Sequence, residues 1–299
     1  RCEGAFDTST VVLASSEDAR LCLSATSVAG CLRAPLLLIG RDMLPDMTAQ
    51  ALMRLQPRRV IIVGGDGYVS RSLMGRIDQV CNCPIEVLDG FAFNDIAKNA
   101  YYQFDEAGAW GSRALITHTR CIADYVSFEP FVYGTRTPVF FTQEDDRIDD
   151  ETFSMLVQGR FSEVVVLGGP DAFPESTIDK LAAAGAACTQ IYGKNEYDAN
   201  VNIRRWLMEN WADMSLDQVF VSSAWMPENG FAIGPYAGSS NSLVILEDPR
   251  DLDSVANTAE FLRAHRDAIE KLVFIGDEKR YGDLDKEILG KALCGARFD

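Results

Sequence analysis

The sequence predicts an α/β protein made of three tandem parallel-sheet repeats, and two observations carry that expectation. Apolar residues come in continuous runs instead of alternating with polar ones, the pattern of strands buried on both faces of a parallel sheet. The runs also return in the same order. "RRVIIVGGDGYVS" (58–70) reappears as "SEVVVLGGPDAFP" (162–174) and, weakened, as "EKLVFIGDEKRYG" (270–282), and such self-similarity at near-constant spacing marks an internal repeat.

Each repeat opens on a strand that ends in a small polar cluster: "TVVLASSED" (10–18), "RALITHTRC" (113–121) and "DQVFVSSAW" (217–225). Segments 20–32, 123–134 and 229–238 follow, rich enough in small residues to pack as close helices. A second strand then leads into an acidic turn at "APLLLIGRD" (34–42), "TPVFFTQED" (137–145) and "NSLVILEDP" (241–249). Helical patterns at 47–56 and 176–185 precede and follow the third strands, the latter with Ser176 as N-cap and Gly185 as stop. A fourth strand is expected at "PIEVLDG" (84–90) and "CTQIYG" (188–193), with no clear counterpart in the third repeat. Strands alternating with helices predict right-handed crossovers and an open, doubly wound sheet in each repeat. Boundaries fall near Gly90 and Gly193, dividing the chain into 1–90, 91–194 and 195–299. An amphipathic helical pattern opens just past each boundary. No proline- or glycine-rich linker intervenes, so the units are expected to pack together.

With 299 residues, 47% of them hydrophobic, the chain can bury a large core. A net charge of −16 argues against nucleic acid or an anionic membrane surface as partner. The charge is uneven: residues 1–90 carry −1, 91–194 carry −7 and 195–299 carry −8. Only two histidines occur, so a His-rich metal site is excluded. The eight cysteines form no C-x-x-C pair, although their even number leaves room for disulfides in an oxidising compartment. No apolar stretch reaches the ~18 residues of a membrane span. The chain opens on Arg1, as a piece of a longer protein would after loss of a leader.

The glycine turns first suggest a phosphate loop, since Gly65-Asp66-Gly67-Tyr68-Val69-Ser70 approaches G-x-G-x-x-G. It ends in serine, follows the third strand of its repeat, and recurs. A nucleotide loop needs to occur once; a repeated one is part of the building unit, its glycines allowing a tight turn between strand and helix. No G-x-S-x-G elbow, Walker lysine or H-E-x-x-H occurs.

"APLLLIG", "VIIVGGDGYVS", "VVVLGGPDAFP" and "GFAIGPYAG", in this order and spacing, resemble the type 2 cell-wall-binding repeat of Gram-positive surface proteins, in three degenerate copies spanning the whole chain. The aspartate of that family's "DAL" falls on Asp124, with Leu21 and Asn229 in its place elsewhere, and of its "RY-x-TA" helix start only Tyr197 is kept. The resemblance implies three Rossmann-like or flavodoxin-like units in a pseudo-threefold arrangement. It implies a secreted, non-catalytic module, without cofactor or metal, that holds a protein to the wall by binding an anionic secondary wall polymer. An effector domain would lie elsewhere in the full-length protein.

Recognition of that kind uses strand-end amides, arginine forks and small polar side chains. The candidate residues are Ser15, Ser16, Arg20, Arg33, Gly64 and Gly65 in the first repeat, His118, Thr119, Asp124, Gly168 and Gly169 in the second, and Ser223 and Asn229 in the third. The bland alternative has the arginines solvating helix faces and His118 serving as a structural strand-end residue. Acidic runs at 144–151 and 247–253 could ligate Ca²⁺ but lack the EF-hand pattern, and read more simply as solvated turns with acids at helix N-termini. Two other functions stay open. One is an intracellular nucleotide- or small-ligand-binding enzyme using the Gly64 to Ser70 loop or a Cys121/His118 nucleophile pair; the other is a protein-interaction scaffold presenting acidic lobes.

Overall fold

A buried strand followed by a helix of small residues opens each of three units. In the first, β1 (Thr10–Ser15) leads to α1 (Ala19–Leu32), β2 (Leu36–Ile39), α2 (Asp46–Leu55), β3 (Arg59–Val63), α3 (Arg71–Cys81) and β4 (Ile85–Leu88). Helix α4 (Phe93–Asp105) then crosses to β5 (Arg113–Thr117), α5 (Ile122–Thr135), β6 (Val139–Phe141), α6 (Asp150–Gln158), β7 (Glu163–Leu167), α7 (Glu175–Ala183) and β8 (Cys188–Ile191). Helix α8 (Glu196–Asn210) begins the third set, with β9 (Ser215–Ser223), α9 (Ile233–Ser239), β10 (Ser242–Glu247), α10 (Leu252–Ala264), β11 (Lys271–Ile275) and α11 (Asp283–Cys294). This computed structural model describes residues 6–105, 108–223, 230–231, 233–276 and 281–294.

The strands form three parallel sheets in the orders β2-β1-β3-β4, β6-β5-β7-β8 and β10-β9-β11. The third sheet has no fourth strand among the described residues, as its sequence anticipates. In every sheet the second strand adds on one side of the first and the third on the other, placing a topological switch point between the first and third strands.

Alternate residues of the strands serve different cores. Val12, Ala14, Ile61 and Val63 face a core shared by all three units, and Leu115, Val165 and Leu167 of the second sheet join it. Val11, Leu13, Val60 and Ile62 pack with Leu52 and Leu73 on the outer face of the first sheet. Ala114, Ile116, Val164 and Val166 do the same with Met155 and Leu181 on the second. Burial on both faces is why these strands lack polar alternation.

At the centre of the shared core, α1, α5 and α9 pack against one another, and a glycine in each permits the approach. A methyl group added at Gly30 would stand 2.6 Å from the Tyr133 carbonyl oxygen, at Gly134 2.6 Å from the Trp211 ring, and at Gly238 2.6 Å from the Pro130 carbonyl oxygen. Ser27 Oγ also donates to the Thr137 carbonyl at 2.8 Å and Tyr133 Oη to the Ala34 carbonyl at 3.3 Å, tying the first unit to the second. The side chain of Glu129, wholly buried, covers Gly234.

Two local expectations are refined. Helix α7 starts at Glu175 after the extended Pro174, so Ser176 lies inside the first turn and does not cap it, while Gly185 ends the segment at a φ of +100°. The acidic runs are turns feeding helix N-termini. Asp149 caps α6 by accepting from the Glu151 and Thr152 amides, and Asp251 caps α10 by accepting from that of Ser254. Among the described residues no cluster of three or more His, Cys, Asp or Glu could hold a metal, and no helix is long and apolar enough to cross a membrane. The seven described cysteines are free thiols, and Cys2 lies outside the described residues.

Candidate crevices at the strand ends

The carboxyl ends of the first and third strands lie side by side in each sheet, and most of the sequence-derived candidates gather at these ends. In the first unit, Ser15 ends β1 and accepts from the Glu17 amide at 3.3 Å, while Ser16 donates from its amide to the Ile39 carbonyl at 2.8 Å. Asp18 caps α1 and is forked by Arg20, whose Nε and Nη2 donate at 2.8 and 2.5 Å. The guanidinium lies 4.1 Å over the Phe93 ring at the start of α4. Two of its three nitrogens are therefore spent on Asp18.

Arg33 is not part of this group. It ends α1 in the left-handed conformation, φ +50°, a full helix away from Arg20, a separation of ~20 Å at 1.5 Å per residue.

The glycine turns have one conformation in all three units: φ is +115° at Gly64, +145° at Gly168 and +139° at Gly276. That left-handed setting explains the repeated glycine. The second glycine differs in surroundings. A side chain at Gly65 would collide with the Asp89 carboxylate, whereas Gly169 lies 3.4 Å (measured from an added methyl) from the Tyr192 ring. The Asp89 carboxylate against Gly65 places negative charge beside the turn, which opposes a nucleotide-loop role there.

In the second unit His118 is 1% exposed and fully engaged. Its Nε2 meets the Asp146 carboxylate and its Nδ1 accepts from the Arg120 amide at 3.0 Å, while Arg120 Nη2 donates to Asp146 at 2.9 Å. Thr119, partly exposed, lies between them. The thiol of Cys121 has its pKa pushed up to about 11 by burial and the Asp124 charge, so it is not a poised nucleophile. Burial and the nearby Glu196 raise Asp124 to about 7, leaving it half-ionised near neutrality. As Arg20 meets the start of α4, so Asp124 meets the start of α8.

In the third unit the buried hydroxyls of Ser222 and Ser223 at the end of β9, and the carboxyl group of Glu247 paired in register with Ser223, have no hydrogen-bond partner among the described residues. Burial and the acids Asp285 and Asp248 push Glu247 up to about 8. Asp248 beside it accepts from Tyr197 Oη at 3.0 Å and is forked by Arg250. Asn229 lies outside the described residues. Glu247 opens the acidic run 247–253, expected as a solvated turn; coming directly after the apolar "LVIL", it is instead buried at the end of β10.

No protein-family model matches the chain. The N-acetylmuramoyl-L-alanine amidase LytC of Bacillus subtilis (strain 168) is 27% identical over 252 residues, 83% of this chain and 47% of that protein. Among solved structures, Cwp6 from Clostridium difficile superposes with a TM-score of 0.79 at 19% identity, over 97% of this chain and 44% of its own. Cwp8 from the same organism gives 0.79 at 17% identity, over 96% and 48% respectively. The fold is thus shared, and this chain spans less than half the length of each of these proteins.

Proposed function

We propose that this chain is a non-catalytic cell-wall attachment module of a Gram-positive surface protein, and that its crevices bind an anionic wall polymer. The observation that carries the reading is the threefold recurrence of one strand-end arrangement around one helical centre. A polymer of repeating units engages equivalent sites in succession, each later contact being intramolecular, so weak single sites sum to firm retention. An enzyme needs one complete constellation, and here the nucleophile and base candidates, Cys121 and His118, are respectively a high-pKa thiol and a histidine consumed by its turn.

The likeness to LytC supports the same reading. That protein is named for cleaving an amide bond of muramic acid, a wall constituent, and this chain matches about half of it. A wall-binding portion shared by the two accounts for the likeness without transferring the amidase activity.

Co-sedimentation with isolated Gram-positive walls tests the proposal. Retention on native walls, with loss on walls chemically stripped of secondary polymers, is the expected result. Equal absence from both pellets at low salt overturns it.

A further inference from the structure

A buried guanidinium without a carboxylate is costly, since desolvating a cation takes several kcal/mol that only a partner offsets. Arg204 of α8 is in that position. It is 6% exposed, and among the described residues its Nη1 has no hydrogen-bond partner and no acid pairs with it. Its support is the Phe261 ring of α10, 4.4 Å from the guanidinium carbon. Burial and the adjacent Arg205 draw its pKa down to about 10, a loss no carboxylate opposes.

The second unit shows what a purely structural residue does here. Asn99 and Asn202 hold equivalent places in α4 and α8, donating to the Asp89 carbonyl at 2.7 Å and the Tyr192 carbonyl at 2.8 Å. Two residues on from each stand Tyr101 and Arg204. Tyr101 is 5% exposed and packs with Phe140 and Trp110, with Asp105 beside its hydroxyl, so an uncharged aromatic side chain fills the position. The third unit has a charge in its place, within a set of residues whose acids outnumber its bases.

Arg204 lines a groove of about 680 Å³ between α8 and α10. Arg205 and Asn257 also line it, His265 closes one end with its ring 4.5 Å from Phe261, and Glu209 and Glu260 are its acids. The Arg204 guanidinium and the His265 ring both lie against the Phe261 ring, and Arg205 and Asn257 share the lining. We propose that this groove binds an oxyanion, a phosphate or carboxylate group, through the Arg204 guanidinium. The site is separate from the strand-end crevices and stands whether or not they bind a polymer. A planar fork suits either anion, and the groove is open enough to admit the group as part of a larger molecule.

The chain's two histidines make the test direct, because His265 and His118 give separately assignable imidazole signals. Inorganic phosphate and, separately, acetate are titrated at constant ionic strength into the wild type and Arg204→Tyr, the latter installing the second unit's residue. The wild type is expected to show a saturable shift of the His265 signal and a rise in Tm of ~2 °C or more at saturation, with His118 unmoved. Arg204→Tyr is expected to fold, with an unchanged or higher Tm without anion, and to lose both responses. Arg204→Lys is expected to restore part of the shift. Equal responses in wild type and Arg204→Tyr, or no His265 movement with either anion up to about 50 mM, overturn the proposal. Wall co-sedimentation then separates the sources: lost retention of Arg204→Tyr assigns the oxyanion to the polymer, and unchanged retention assigns it to a free ligand. Failure of the wild type to bind walls refutes the attachment function alone and leaves the phosphate response intact.

Discussion

Gly30 of α1 meets the backbone of Tyr133 in α5 so closely that a single methyl group at position 30 would stand 2.6 Å from the Tyr133 carbonyl oxygen. Backbone cannot retreat as a flexible side chain does, so the helices themselves must separate. Gly30→Ala is expected to cost about 2 to 3 kcal/mol, read as a lower urea midpoint. Gly75→Ala is the control. It lies within α3, where an added methyl meets nothing within 4 Å, and is expected to stabilise by ~0.5 to 1 kcal/mol. Equal effects of the two changes would refute the close-approach account of the centre.

Glu129 makes the same centre sensitive to pH. It is wholly buried, neither carboxyl oxygen has a partner among the described residues, and burial raises its pKa well above the usual carboxylate range. The groups around it, Cys22 of α1 and Tyr125 of α5, offer no positive charge and are themselves held neutral by burial. The folded chain therefore keeps a proton that the unfolded chain releases above about pH 4.5. Stability is greatest below that pH and falls as pH rises toward the folded value. Glu129→Gln removes the proton but keeps the shape. The stability difference between variant and wild type is expected to shift in the variant's favour as pH rises from 5 to 7. Parallel urea-midpoint curves for the two proteins would show that Glu129 ionises freely.

The repeat was legible because parallel strands advertise themselves: "VIIV" and "VVVL" are apolar throughout and end in glycines whose positive φ permits few other residues. The glycines at 30, 134 and 238 were in the same sequence, one per repeat, but a helix glycine has no signature that separates close packing from chance. Their meaning is tertiary. Arg204 was hidden for the same reason, since an arginine in "NIRRWLMEN" reads as a solvated helix face until α10 is laid across it. Arg33 shows the reverse error of proximity: thirteen positions after Arg20 in sequence, it ends up at the far end of α1.

His118 illustrates how a chemically suggestive residue is absorbed by structure. Its ring holds Asp146 in a left-handed turn, φ +68°, and accepts from the Arg120 amide. His118→Gln is expected to cost about 1 to 3 kcal/mol through the partners left unpaired. Wall retention per folded molecule is expected to stay within twofold of wild type. A tenfold loss of retention in protein that remains folded would instead place His118 on the ligand.

Under the proposed attachment function, Asp124 is expected to make recognition pH-dependent. With a pKa raised to about 7 by burial and Glu196, it is mostly ionised at pH 8 and mostly neutral at pH 6. A carboxylate in the second crevice repels an anionic polymer, whereas the neutral acid can donate a hydrogen bond to it. Retention on native walls is therefore expected to strengthen severalfold between pH 8 and pH 6. Asp124→Asn, locked in the neutral state, is expected to bind at pH 8 as the wild type does at pH 6 and to lose the slope. The polymer must stay ionised over this interval, so phosphodiester-bearing walls are the appropriate substrate. Retention that rises with pH, or an Asn variant that keeps the wild-type slope, would remove Asp124 from the crevice's ligand contacts.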